Sequence, residues 1–192
     1  MKAITMPRQE LDLEKVLLGC RKGDRNSQRS LYEHFYGYAM SICLRYSGSR
    51  DEAVEVLNDA FLKVFAGLDK YDPTFPFRTW LRRILINAAI DYYRKHHKTL
   101  VFLELKAAEH LADEEAPLPV IDPDEDMLPI LRELSPSYRL VFNLYVMEEY
   151  KHHEIAELLG ISVSTSRSNL VRAIENLRAL LMKKSPYHIK PN

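Results

Sequence analysis

Residues Glu154 to Ile174 read EIAELLGISVSTSRSNLVRAI: an apolar pattern, a glycine, a patch of small hydroxyl residues, then a second apolar pattern carrying two arginines. Two short helices joined by a tight turn, the second with polar and basic residues on its open face, are what a helix-turn-helix looks like in sequence. Ala156 is small where the helices would cross closely, and Gly160 stands four residues on, where the turn calls for a left-handed backbone. Ile161 can plug the core at the turn and Ser162 can cap the next helix. Ser164, Thr165, Arg167, Ser168 and Arg172 are then candidates for a DNA groove, because arginine pairs with guanine or phosphate while serine and threonine serve either contact class. Leu170, Ile174 and Leu177 must face inward. An ordinary helical pair in an unrelated bundle is the competing reading of this stretch alone.

Upstream, LPILRELSPSYRLVFNLYVMEEY offers Ser135 followed by Pro136 as a helix start, since proline fits a first-turn position whose N–H needs no intrahelical partner. Leu140, Val141, Leu144 and Tyr145 supply its buried stripe. The segment 99–126 is acidic and proline-bearing and reads as a flexible linker that separates two domains. Residues 185–192, SPYHIKPN, read as a frayed tail.

The first 98 residues repeat the helical period. Leu11, Val16, Leu17 and Leu18 suggest a first helix stopped near Gly23; Leu31, Phe35, Tyr38, Ile42 and Tyr46 line a second, ending near Gly48. Ser49 or Asp51 can cap a third, with Ala53, Val54, Leu57, Phe61, Val64 and Phe65 as its stripe. DKYDPTFPF breaks the pattern, and RTWLRRILINAAIDYYRKHHK restarts it with Trp80, Leu81, Ile84, Leu85, Ala88 and Tyr92 inward. Its remaining faces set Arg78, Arg82, Arg83, Arg94, Lys95 and Lys98 against Asp91, with tyrosines and histidines interleaved. Positive charge plus rings suits single-stranded nucleic acid, although a solvated helix face with half-buried tyrosines would read the same way. The fold class expected is all-α: two small helical domains, 1–98 and 127–184, joined by an acidic linker, the second containing the helix-turn-helix.

The formal charge is zero, but it is patterned: residues 1–98 carry 17 Lys/Arg against 12 Asp/Glu, 99–134 carry 2 against 10, and 135–192 carry 8 against 5. Two mildly basic blocks thus flank one acidic block, which can lie near them and reduce non-specific DNA binding or serve only as a solubilising spacer. Cys20 and Cys43 lack metal-ligand spacing and are too few for a disulfide scaffold, which fits a reduced compartment. Nothing reads as a signal peptide or a membrane span.

With both modules in view, the chain resembles the two-domain sigma factors of the extracytoplasmic-function type, within the sigma-70 family of bacterial transcription initiation factors. LYEHFYGYAMSICLRYSGSRDEAVEVLNDAFLKVF followed by FRTWLRRILINAAIDYYRK looks like sigma region 2. LRELSPSYRLVFNLYVMEEYKHHEIAELLGISVSTSRSNLVRAIENLR looks like sigma region 4. Many regulators carry one helix-turn-helix; the order and spacing of the two motifs together are far more specific.

The resemblance implies a cytoplasmic subunit with core RNA polymerase and promoter DNA as partners, no cofactor, no metal and no catalysis of its own. Asp51, Glu52, Glu55, Asn58, Asp59 and Phe61 match the helix that docks on the clamp of the largest polymerase subunit. Arg78, Arg82, Arg83, Asn87, Asp91, Tyr92 and Arg94 match the segment that melts and reads the minus-10 element as a single strand, with an extruded base held at a loop near Asn87; Trp80 is expected as a core anchor. Base extrusion costs stacking that single-strand contacts must offset. Ser162, Ser164, Thr165, Arg167, Ser168 and Arg172 match the helix that reads the minus-35 duplex. The linker would occupy the polymerase's active-site and RNA-exit channels. Restraint would come from an anti-sigma protein, often membrane-bound in the family. The sequence departs from the family at Ser166, where valine is common, and a serine there is expected to fill less of the core.

Two rival classes fit the residues less well. HHEIAE superficially suggests a zinc helix, but His152 and His153 are adjacent and cannot share a face as an i,i+4 pair does. A conventional helix-turn-helix regulator acting without polymerase would need a sensing module, and no receiver-like alternation of strands and helices occurs in the first 98 residues.

Overall fold

Asp12, Asp24 and Ser49 each precede an apolar-periodic run, and each accepts a first-turn hydrogen bond: Lys15 N to Asp12 at 3.1 Å, Ser27 N to Asp24 at 2.8 Å and Glu52 N to Ser49 at 3.1 Å. Such a cap is worth about 1 kcal/mol, which makes these residues start signals. The computed structural model describes residues 11–96 and 127–184. Its first bundle holds α1 (Leu13–Arg21), α2 (Arg25–Tyr46), α3 (Arg50–Gly67) and α4 (Phe77–His96), with a short 3-10 turn, Leu68–Lys70, after α3. The second bundle holds α5 (Met127–Glu133), α6 (Pro136–Phe142), α7 (His152–Leu159) and α8 (Val163–Lys184). Every regular element among the described residues is helical, as the periodicity predicts. The acidic linker, the tail, His97 and Lys98 lie outside the described residues.

In the first bundle the core is built from Leu31, Ile42, Leu57, Leu68, Leu81 and Leu85, all essentially inaccessible. Burying one such side chain stabilises the fold by about 1.5–3 kcal/mol. The corner before α4 is held by Tyr71, whose hydroxyl donates to the Phe75 carbonyl at 2.7 Å, and by Thr74 N donating to Asp72 at 2.9 Å. Phe77 then enters an aromatic cluster, 5.1 Å from Phe35, 5.3 Å from Tyr71 and 5.5 Å from Trp80. Trp80 is therefore the anchor the sequence suggests. Cys43 is wholly buried and its thiol is pushed up to about 12 by burial, so it stays protonated near neutral pH.

In the second bundle Ser135 accepts from Tyr138 N at 3.4 Å with Pro136 in the first turn. Between α6 and α7 the chain makes a π-helical turn, Asn143–Met147, and then a left-handed residue, Glu149, with φ of 59°. Glu154 accepts from Lys151 N at 2.7 Å and so caps the start of α7. Gly160 ends α7 at φ 67°, and Ile161 N closes back on the Ala156 carbonyl at 3.1 Å. That is the left-handed stop expected of glycine at this turn. Ser162 then accepts from Thr165 N at 3.0 Å and opens α8.

The bundles pack on one another, and their buried apolar residues form one continuous core. This packing changes one expectation. Tyr93, not Tyr92, is the inward tyrosine of α4: its hydroxyl lies 2.7 Å from Ser137 Oγ of the second bundle. Tyr92 is half-buried and stacks on His96 with ring centroids 4.3 Å apart. Helix α4 buries two faces, one against α2 and α3 and one against the second bundle, so a single-stripe reading could recover only the first.

Candidate functional site

The site residues expected in the first bundle fall on two adjoining helices, α3 and α4. On α3, Asp51, Glu55, Asn58 and Asp59 are exposed, at spacings that put them along one side. Leu62 continues that side and is 67% exposed, a large apolar group at the end of an acidic strip. Glu52 is half-buried; its carboxylate accepts from Gly48 N at 2.7 Å. Phe61 lies behind this surface, buried, with its ring 4.6 Å from Tyr32. Of the six residues expected on the docking surface, the structure therefore sets four on an open face and tucks Phe61 into the core. Leu62 was missed because a lone leucine off the core stripe carries no periodic signal.

On α4, Arg78, Arg83, Asn87, Asp91 and Arg94 are exposed and Arg82 is half-buried. Arg78 is held over the Tyr38 ring at 4.0 Å, a cation–π contact. Asp91 accepts from Lys63 at 2.6 Å across the α3–α4 pair. Burial, then the nearby Glu52 and Glu55 carboxylates, raise the Tyr92 hydroxyl above its ordinary value, so it remains a neutral hydrogen-bonding group. No loop occurs near Asn87: α4 runs unbroken through it, with no proline or glycine from Phe77 to His96 to interrupt the ladder. The expected base-holding loop at that position is therefore corrected to an exposed helical face, and the irregular segment lies before α4, at Asp72–Pro76, where Phe75 is 62% exposed.

Arg82 and Arg94 are engaged by the second bundle. Arg82 donates through Nε to Glu148 Oε2 at 2.7 Å and through Nη2 to Glu148 Oε1 at 2.8 Å, and Arg94 donates to the Leu158 carbonyl. Tyr46 donates to Glu148 Oε1 at 3.2 Å, and Asn143 donates to the Arg45 carbonyl at 2.8 Å. Burial, followed by the Glu148 charge, holds the Tyr46 hydroxyl well above its ordinary range, so it serves as a donor throughout the neutral pH range.

In the second bundle the start of α8 presents Ser162, Ser164 and Arg167 to solvent, with Arg172 half-buried a turn further on. Thr165 and Ser168 are buried and face the domain interior, so these two do not share the open face expected of them. Thr165 Oγ1 lies 2.7 Å from Ser162 Oγ and braces the cap. Ser166 is wholly buried, and its hydroxyl lies 2.9 Å from His152 Nδ1. The His152 ring in turn stacks on Tyr145 at 4.6 Å. Serine at this position thus replaces apolar filling with a polar tie between α7 and α8, the two helices whose angle aims Arg167.

Residues 31–99 match the sequence profile of Sigma-70 region 2, and residues 125–177 match that of Sigma-70, region 4. Together they cover most of the chain, in the order of the two bundles. The chain belongs to the sigma-70 family. Within it, the ECF RNA polymerase sigma factor SigW of Bacillus subtilis (strain 168) is 27% identical over 184 residues, spanning 90% of this chain and 98% of SigW. The ECF RNA polymerase sigma-E factor of Escherichia coli (strain K12) is 26% identical over 166 residues, 81% of this chain and 86% of its own length. Among solved structures, CnrH in complex with the cytosolic domain of CnrY is 25% identical, covers 89% of this chain and 97% of that chain, and superposes with a TM-score of 0.43. This sigma factor is of the extracytoplasmic-function type, and its work is transcription initiation with core RNA polymerase on promoter DNA, not that of a regulator acting apart from the polymerase. No helix among its described residues is long and apolar enough to cross a membrane.

Proposed function

We propose that this sigma factor divides promoter recognition between its bundles, with residues 1–98 binding core polymerase and melting the minus-10 element and residues 127–184 reading the minus-35 duplex. The observation that carries this division is the separation of three surfaces: the acidic strip of α3 ending in Leu62, the cationic face of α4, and the capped start of α8 with Arg167 outward. An acidic strip with an apolar end suits a protein partner, where an aromatic or aliphatic anchor supplies affinity and charge supplies orientation. The arginines of α4 suit phosphates flanking an opened strand. A capped helix start with exposed serine and arginine suits the major groove.

In the same reading the acidic segment 99–126 threads the polymerase channels, an anti-sigma protein restrains the factor, and the chain works in the cytoplasm as a subunit without catalysis of its own. The minus-10 assignment is tested by permanganate footprinting of unpaired thymines. With core polymerase and the intact factor on a responsive promoter, thymines near minus 10 become reactive. With Arg83→Ala the reactive fraction falls about tenfold, the scale of one lost nucleic-acid contact, while co-elution with core polymerase is unchanged. Equal reactivity in the variant would remove Arg83 from the melting surface.

A further inference from the structure

We propose that this sigma factor masks its own minus-10 surface: the Glu148–Glu154 segment of the second bundle sits on α4 as a carboxylate stand-in for the DNA backbone, and promoter engagement requires the bundles to part. The proposal rests on the assignment of α4 to minus-10 DNA made above, and it adds a regulation of that surface.

Glu148 grips Arg82 with both carboxylate oxygens, at 2.7 and 2.8 Å, and takes a third hydrogen bond from Tyr46 at 3.2 Å. Two parallel N–H···O bonds to a guanidinium are also how arginine holds a phosphate. One guanidinium edge cannot serve both acceptors, so carboxylate and DNA compete for Arg82. The Glu148 side chain is 5% exposed and that of Arg82 33%, so the acid is enclosed while the arginine keeps an open edge.

The local backbone is shaped for this contact. A π-helical turn, Asn143–Met147, and a left-handed Glu149 come immediately before and after Glu148. Both are uncommon for ordinary residues, and π turns concentrate at functional positions. Asn143, wholly buried at the start of the turn, is fastened to the first bundle by its bond to the Arg45 carbonyl at 2.8 Å. Beyond Arg82 the two bundles leave a cleft of about 380 Å³, with Thr79, Arg82, Arg83 and Ile86 on one wall and Glu148, Glu149, Tyr150 and Glu154 on the other. Three carboxylates thus face two arginines of the surface assigned to single-stranded DNA. Further along α4, Arg94 is taken by the Leu158 carbonyl.

The electrostatic part of the seam opens at little cost. A buried ion pair gains in Coulomb attraction roughly what it loses in desolvation, so separating both partners into water costs little. A polyanion that satisfies Arg82 and Arg83 removes the electrostatic part of that cost. Thirty residues, 97–126, stand between the bundles in the sequence, and a chain of that length reaches at most about 100 Å when extended.

The test compares the full chain with Glu148→Gln by small-angle X-ray scattering and by anisotropy of a fluorescein-labelled single-stranded 12-mer of mixed sequence at low salt. The expected result is a radius of gyration larger by several ångströms in the variant and oligonucleotide binding about tenfold tighter. Unchanged scattering and unchanged binding would overturn the latch; an opened chain that binds no more tightly would overturn the masking. Adding Arg82→Ala to the opened chain tests the underlying assignment separately: if binding is undiminished there, the α4 reading fails whatever Glu148 does. Should Glu148→Gln unfold in a thermal scan, the exchanged pair Arg82→Glu with Glu148→Arg decides. It stays as compact as the parent if the latch is real, whereas Arg82→Glu alone opens; equal scattering from the single and exchanged variants would sink the idea.

Discussion

Leu62→Glu is expected to weaken binding to core RNA polymerase by about 100-fold without unfolding the factor. Leu62 is 67% exposed and lies on the same side of α3 as Asp51, Glu55, Asn58 and Asp59, so a charge there meets water in the free protein. Against a partner it would be buried unpaired, and the scale for an interfacial anchor lost in this way is about 2–4 kcal/mol. The measurement is a titration of core polymerase with fluorescently labelled factor, with Leu18→Glu as the control. Leu18 is 52% exposed but lies on α1, away from the acidic strip, and its substitution should leave affinity within about twofold, the usual range for a surface change. If the two variants behave alike, the α3 strip is not the docking surface.

Arg167→Ala is expected to lower affinity for a minus-35 duplex by about 10- to 100-fold and to flatten discrimination between sequences, the effect of losing a bidentate base contact worth about 1–3 kcal/mol. Its position follows from the packing of its neighbours. Thr165 and Ser168 are buried, and Ser166 is tied to His152 at 2.9 Å, so the first turns of α8 have one open side, which carries Ser164 and Arg167. Band shifts with the isolated factor on randomised duplexes, before and after substitution, read this directly. A uniform loss across all sequences, with a salt dependence shallower by about one charge, would instead make Arg167 a phosphate contact.

The parts of the fold that sequence alone conveyed are those whose chemistry is local. Ser49, Ser135 and Ser162 announce helix starts because a hydroxyl within three residues of an orphan N–H bonds to it wherever the rest of the chain goes. Gly160 announces a stop because little else accepts its backbone angles. The parts that were hidden depend on partners far away in sequence. Tyr46 and Glu148 are 102 positions apart and Asn143 and Arg45 are 98 apart, and no periodicity links them. The burial of Tyr93 in preference to Tyr92 comes from the same seam.

The candidate site divides in the same way. The basic character of α4 was visible as composition on a helical period, whereas the α3 residues were marked only by the family resemblance. Which residues of α8 face outward was not visible, because that depends on how α6 and α7 pack along α8, and Thr165 and Ser168 end up buried. The loop expected near Asn87 came from family resemblance and gives way to an unbroken helix that contains no proline or glycine. Phe61 and Leu62 show how narrow the margin is: one residue along α3 separates a ring packed on Tyr32 from a side chain open to a partner.

The measurement that bears most directly on the central claim is run-off transcription by bacterial core polymerase on a pool of genomic promoters, with and without the purified factor, followed by mapping of start sites. The account predicts new starts that appear only with the factor and share sequence elements near minus 10 and minus 35. Failure to bind core polymerase or to produce new starts, with duplex binding by the free protein retained, would contradict it.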